Sequence, residues 1–348
     1  MDTRGRIPSL DGLRAISITL VILSHLAKWK HISFPYIETY GALGVHIFFV
    51  LSGYLITNLL LHEYQRSSTI DLFNFYVRRS FRIFPAAIVF LAVVVVIYWR
   101  QMSWYHIATA SFYVANMDLS RPWIFGHLWS LSIEEQFYLL WPFALKKWHR
   151  SKVPILLCVL LATPVFGTGL HALKIANGLA GSLPVYADQL AIGCLLAIFA
   201  ARLPKIKGSL AFLMVVAIVL IPWFPAVNAT RTLFELFFLY PVQNFAIAGV
   251  VLHVIQVPYR ALNWPPVEWL GRVSYSLYLW QEVFCSNRAL HGSYQLALLA
   301  LGCASLSYYV VEKPMLLVRD RLARKSPSAA IIATTEKAVA VGPMSGAA

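Results

Sequence analysis

The chain has 348 residues, of which 59% are hydrophobic and only 13% charged, with a formal net charge of +14. Soluble domains average about 25% charged residues, so this composition and a mean hydropathy of +0.66 exclude an ordinary soluble enzyme and indicate a polytopic membrane protein. The positive charge is distributed as membrane topology requires, which argues against nucleic acid as its partner.

Runs long enough to cross a hydrocarbon core of about 30 Å fall at residues 10–29, 41–61, 83–99, 129–145, 153–171, 186–201, 208–224, 232–254, 267–288 and 292–311. The expectation is an all-α integral membrane protein with ten transmembrane helices and both termini in the cytoplasm. On that arrangement 22 Lys and Arg residues lie inside and 7 outside, in keeping with the positive-inside rule. Gly41, Gly44 and Gly53 in the second run read as close-packing points. Residues 101–128, half apolar and aromatic, read as an interfacial or re-entrant segment near the outer face, because an extra span there would invert everything downstream. Cys158, Cys194, Cys285 and Cys303 all sit in apolar runs and read as small buried hydrophobes. Residues 1–314 form one membrane domain. Residues 315–348 turn basic, then Ala-, Ser- and Gly-rich, and read as a cytoplasmic amphipathic stub and a disordered tail. No small-residue cleavage site follows the first run, so no cleaved signal is expected.

His25 lies deep in the first run, SLDGLRAISITLVILSHL, eleven residues after Arg14. Eleven helical steps come to nearly three whole turns, so the two residues share one face about 16 Å apart. A permanent cation then stands at the membrane edge and an imidazole well inside, where ionisable groups are costly and read first as functional. Depth gives His25 companions: His46 in the second run, Glu134 and Glu135 in the fourth, and Gln281 and Glu282 in the ninth all fall roughly 6–10 Å below the outer face. Such a set describes a polar chamber, although separate interhelical hydrogen bonds give the same pattern. His46 is read as a packing histidine ahead of a second acid–base group.

On the inner side, FNFYVRRSFRIFP sets Arg78, Arg79 and Arg82 just before the third run. Arg79 and Arg82 share a helix face and can grip phosphate, with Arg14 completing the site; ordinary topogenic charge accounts for the same residues. An anion-binding mouth inside and an acid–base chamber outside suit a ligand with phosphates at one end and a reactive group about 15–20 Å away. Acyl-CoA has that shape, and polyprenyl-phosphate sugars compete with it.

Six blocks together resemble the membrane-bound acyltransferase-3 family, which includes bacterial glycan O-acetyltransferases. They are SLDGLRAISITLVILSHL (9–26), GALGVHIFFVLSGYLIT (41–57), FYVRRSFRIFP (75–85), HLWSLSIEEQFYLLWP (127–142), GRVSYSLYLWQ (271–281) and VEKP (311–314). The first four carry the resemblance, and all six follow the family's order along nearly the whole chain. The resemblance implies a ten-helix core, an Arg–ten residues–His motif at Arg14 and His25 with His25 catalytic, and an Arg-x-x-Arg pair at Arg79 and Arg82 that helps bind acyl-CoA. It also implies a functional carboxylate at Glu134, with Glu135 beside it. Many relatives carry a C-terminal SGNH-type hydrolase-like domain, which is not expected within these 348 residues. Two positions depart from the pattern. His46 stands where many relatives have an acidic residue, and Gln281 where the YLW block commonly continues with His. Gln cannot relay a proton, so a catalytic role is lost there while a hydrogen-bonding contact to substrate remains.

The resulting expectation is an O-acyltransferase in the inner (plasma) membrane. It transfers an acyl group, acetyl foremost, from acyl-CoA to a hydroxyl of a glycan, lipid-linked sugar or small exported metabolite. His25 serves as general base, since imidazole exchanges protons near neutral pH; Glu134 orients it, as the acid does in a triad. An acyl-His intermediate is the alternative chemistry. Arg14, Arg79 and Arg82 hold the donor phosphates. No metal or resident cofactor is expected, because metal-ligand spacings are missing, and there is no G-x-S-x-G elbow. The alternative function is a proton-coupled transporter or flippase of a glycan or lipid, with the polar chamber as its relay. The sequence has no evident inverted repeat to favour it.

Overall fold

The computed structural model describes residues 8–29, 37–173, 182–221, 234–285 and 294–324. Among these residues all regular structure is helical. The helices are α1 (Pro8–Trp29), α2 (Ile37–Ser67), α3 (Leu72–Tyr98), α4 (Trp104–Ser111), α5 (Leu128–Lys147), α6 (Lys152–Ala172), α7 (Leu183–Phe199) and α8 (Gly208–Leu220), followed by α9 (Tyr240–Gln256), α10 (Pro265–Cys285), α11 (Tyr294–Ser307) and α12 (Lys313–Arg324). Short π-helical turns lead into α9 (Glu235–Leu239) and α12 (Tyr308–Glu312). Helix α12 straddles the expected domain boundary at 314, and residues 325–348 of the tail lie outside the described residues.

Each expected run overlaps a helix, but length and hydropathy alone single out six stretches able to cross a membrane: Ser9–Ala27, Tyr40–Ser67, Leu72–Gln101, His149–Leu170, Glu235–Gln256 and Gln295–Arg321. Leu183–Phe199 and Gly208–Leu220 are apolar but shorter. Helices α5 and α10 miss the mark because they carry the polar residues: Glu134, Glu135, Lys146 and Lys147 on one, Glu268, Arg272 and Glu282 on the other. Helix α3 begins at Leu72, eleven residues ahead of the expected run, so Arg78, Arg79 and Arg82 belong to the same continuous helix as that run instead of lying just before it.

Contacts fix the relative directions of the helices. Helix α2 runs antiparallel to α1, with Gly41 against Ser24 and Gly44 against the Ser17 carbonyl. Helix α7 runs parallel to α2, since Tyr186 meets Phe49 while Gly193 meets Val50 and Tyr54. At that crossing Gly53 faces the Leu190 carbonyl and Gly193 the Val50 carbonyl, so a Cβ on either would overlap the opposite backbone. Helices α3 and α5 are antiparallel (Tyr76 to Leu139, Arg79 to Glu135), and α1 and α10 are parallel (Asp11 by Gly271, His25 by Gln281).

The buried core and the exposed apolar faces follow membrane logic. Phe49, Ile18, Ile133 and Leu190 are buried between helices, whereas Val96 and Ile97 on α3 and Leu157, Leu161 and Val165 on α6 face outward. The cysteine expectation fails in part for this reason: Cys194 and Cys285 are buried and Cys303 half-buried, but Cys158 lies exposed on the outward face of α6. In a bilayer an apolar position need not point inward.

The 101–128 segment is not a span. Its eight-residue α4 rises only about 12 Å, and 3₁₀ turns at Ala115–Met117 and Trp123–Phe125 complete it. His106 Nδ1 meets Asp118 Oδ2 at 2.7 Å, and Gln136 Nε2 donates to the Tyr113 carbonyl at 3.0 Å. Ile124 and Phe125 are buried with Phe90 and Trp280.

The start of α3 offers a direct test of local stability. Asp71 caps the helix, accepting from the Asn74 backbone N–H at 3.0 Å. That hydrogen bond holds the Asp71 carboxyl below the usual carboxylate range. Asp71→Ala should therefore cost about 1 kcal/mol, read as a lower Tm in detergent. Because the folded-state value is lowered, the stabilisation is present above the unfolded pKa of about 3.9 and lost as pH falls through the folded one. The Tm gap between wild type and variant should accordingly close in acid; a constant gap would contradict a capping role.

Candidate functional site

Three groups of polar side chains, each forming a tier, lie between the helices of the bundle. The first is built from the start of α1, the first half of α3 and the turn after α11. Arg14 donates from Nη1 to Asp11 Oδ1 at 2.9 Å, and Arg82 lies within electrostatic reach of Arg14, Arg79 and Glu312. Glu312 is buried and accepts from Ser276 Oγ at 3.0 Å. It belongs to a π-helical turn, a distortion frequently found at functional sites. The structure thus brings together Arg14, Arg79 and Arg82, the three arginines singled out in the sequence, and adds a carboxylate that sequence reading missed. The signal was there: Glu312 is the acidic residue of the VEKP block.

The second tier joins α3 to α5. Arg79 Nη2 lies 3.3 Å from Glu135 Oε1 and 4.0 Å from Glu134 Oε1. The Arg79 guanidinium stacks 3.5 Å from the centroid of the Tyr138 ring. Glu134 Oε1 accepts hydrogen bonds from the hydroxyls of both Ser52 and Tyr138. One turn further along α5, Trp141 Nε1 donates to Thr57 Oγ1 at 2.8 Å, fastening α5 to α2. These contacts answer the chief requirement of charge in an apolar interior, that it be paired and hydrogen-bonded.

The third tier holds His25. Its Nδ1 donates to Gln281 Oε1 at 2.6 Å and lies 3.5 Å from Glu282 Oε2. Gln281 is fully buried, and its Nε2 donates to Glu282 Oε2 at 3.3 Å. That second bond fixes the amide orientation: with NH₂ committed to a carboxylate, the oxygen must face the imidazole. Nδ1 therefore carries the hydrogen, and the lone pair of neutral His25 is on Nε2. The His25 side chain keeps about a third of its surface accessible (31%). His127, at the start of α5, is buried beside it, packed edge-on against Phe90 and Tyr278. Tyr278 donates to the His127 carbonyl at 2.9 Å and lies within electrostatic reach of both Glu282 and Glu134, linking the second and third tiers.

Among the described residues His25 is hydrogen-bonded to Gln281 and lies beside Glu282, whereas Glu134 is hydrogen-bonded to Ser52 and Tyr138 and, with Glu135, faces Arg79. Because α3 starts early and α5 runs antiparallel to it, Glu135 arrives opposite Arg79. His46 takes no part in any tier. It lies against Gln243 and Tyr186, between α9 and α7. Among the described residues no group of three His, Cys, Asp or Glu side chains is gathered as a metal site.

Fold and site together define a multi-pass, all-helical membrane protein with a histidine held by an amide–carboxylate pair above a column of arginines and carboxylates. The chain belongs to the acyltransferase-3 family: the family model Acyl_transf_3, described as an acyltransferase domain, matches residues 7–310. It is 31% identical over 360 aligned residues to the O-acetyltransferase OatA of Staphylococcus aureus, covering 89% of this chain and 57% of that protein. It is 30% identical over 315 residues to the peptidoglycan O-acetyltransferase OatA of Listeria monocytogenes, covering 80% of this chain and 49% of that one. The chain thus spans about half the length of these relatives. No solved structure matches it significantly.

Proposed function

We propose that the protein is a membrane O-acyltransferase that moves an acyl group, acetyl foremost, from cytosolic acyl-CoA to a glycan hydroxyl at the outer face of the plasma membrane. The names of its relatives favour peptidoglycan as the acceptor. The observation that carries the reading is the hydrogen bond from His25 Nδ1 to Gln281, which leaves Nε2 as the base. The hydroxyl loses its proton to His25 Nε2 as its oxygen attacks the thioester carbonyl. The new C–O bond forms, the C–S bond breaks, and the proton passes to the departing thiolate of CoA. Glu282 stabilises the transient imidazolium, and Gln281 fixes the ring. Arg14 and Arg82 hold donor phosphates, with Arg79 anchored behind them by Glu134 and Glu135.

On this reading the chain is a ten-span bundle with both termini inside. The parallel α1–α10 and α2–α7 pairs and the antiparallel α1–α2 and α3–α5 pairs all agree with strict in–out alternation of ten spans. The basic residues then set the inner side. The Arg14–His25 separation of about 16 Å matches a donor bound by its phosphates near the cytosol and reacting near the outside.

Gln281→Ala and Glu282→Gln should each lower kcat by about tenfold or more, with the KM for acyl-CoA little changed, because they act on the base and not on donor binding. A raised KM at constant kcat would instead put them in the binding site. The function itself is tested by mass spectrometry of cell-wall glycans from cells with and without the gene. Loss of a modification with the mass of one acetyl group is expected, and identical glycans in both would contradict the proposal.

A further inference from the structure

At the bundle end where α2 finishes, α6 begins and α7 finishes, a cavity of about 280 Å³ is lined by Tyr64, His149, Lys152 and Arg202 together with apolar side chains. Lys152 and Arg202 lie within electrostatic reach of each other, and Lys152 Nζ is 3.3 Å from His149 Nε2. No carboxylate lines the cavity, and none among the described residues pairs with Lys152 or Arg202. Cations gathered in a concavity without a counter-charge repel one another, an arrangement that an anion relieves. The His149 ring is locked in place by stacking on Tyr64, centroids 3.7 Å apart.

A second cavity of about 320 Å³ adjoins it, sharing Leu61, Gln65 and Ile198, and is largely apolar, running past Tyr54, Leu252 and Ile255. The pair therefore forms one amphipathic site, basic at one end and apolar along its length. We propose that this site binds an anionic phospholipid, its headgroup phosphate held by Lys152 and Arg202 and an acyl chain lying along α2 and α9. A basic pocket between helices at the positive-inside end is where lipid phosphates are met. The apolar continuation suits a lipid better than the nucleotide end of a soluble donor, which carries no chain to fill it. The site is separate from the His25 column, so its occupancy is independent of the reaction proposed above.

The test is lipid binding by the purified, delipidated full chain, read by native mass spectrometry with phosphatidylglycerol, phosphatidylcholine or adenosine diphosphate added. Phosphatidylglycerol should bind in preference to phosphatidylcholine, and adenosine diphosphate should not displace it. The double variant Lys152→Gln/Arg202→Gln should weaken phosphatidylglycerol on the order of tenfold. The variant Lys146→Gln/Lys147→Gln, which removes the same charge from exposed positions at the same end, should leave binding unchanged. Equal binding of the two lipids, equal loss in both variants, or displacement by adenosine diphosphate would each overturn the proposal. The comparison between lipids on the wild-type chain holds even if the variants fail to fold.

Discussion

His25→Ala should reduce acyl transfer by about 10²- to 10⁴-fold, the contribution of a positioned general base, while the protein is still made and extracted in detergent. Structural damage is bounded. The substitution leaves the fully buried Gln281 oxygen without its donor, a loss of about 1–3 kcal/mol, which a thermal shift would register. His25→Gln discriminates between the two effects. Its amide N–H can restore the bond to Gln281, so stability should recover while activity does not. Recovery of activity with His25→Gln would show that His25 only holds α1 to α10.

Arg79→Ala should be the most destabilising single change in the column. Arg79 is the cation against which Glu135 and Glu134 are set, and it covers the face of Tyr138. Removing one partner of a buried ion pair typically costs about 3–5 kcal/mol, because the charge left behind has no compensation. Most of the protein's Tm margin in detergent should therefore go. Arg79→Lys should recover only part of it, since an ammonium cannot bridge two carboxylates and stack on a ring as a guanidinium does. Arg82→Ala, by contrast, leaves no carboxylate of that pair stranded and should chiefly raise the KM for acyl-CoA. A wild-type Tm for Arg79→Ala would mean that Glu134 and Glu135 are not charged partners.

The contrast between these two arginines marks the border of what the sequence discloses. Hydrophobic runs located the helices, and helical spacing correctly set Arg14 and His25 on one continuous α1. Counting residues from the outer face put Gln281 and Glu282 level with His25, and they are in contact. Residue type could go no further: glutamine cannot carry a proton, so position 281 was left with a hydrogen-bonding contact to substrate, and its amide meets the His25 ring. The pairing of Arg79 with Glu135 was hidden because three arginines depress hydropathy around residues 78–82 and cut the expected span short at residue 83. Once α3 is seen to begin at the Asp71 cap, its antiparallel packing on α5 puts the two side chains opposite each other. Glu312 and His127 stand in the VEKP and HLWSLSIEEQFYLLWP blocks, but their partners were hidden for a simpler reason. Neither stands within a periodic pattern that assigns it a partner, and their neighbours come from helices distant in the chain.

The close glycines illustrate the opposite case. Gly41, Gly44 and Gly53 were legible as packing points from composition alone, and each meets backbone or a small side chain of a neighbouring helix. What composition could not supply was Gly193, the reciprocal partner of Gly53 on α7.

The central claim is that His25 catalyses acyl transfer from a CoA thioester. It is tested most directly with the purified full chain in detergent, labelled acetyl-CoA and a soluble peptidoglycan fragment, wild type beside His25→Gln. Label should appear as an ester on the glycan, with one free thiol released per acetyl moved, in the wild type alone. Label that stays on CoA with the wild type, or equal transfer by both proteins, would contradict the claim.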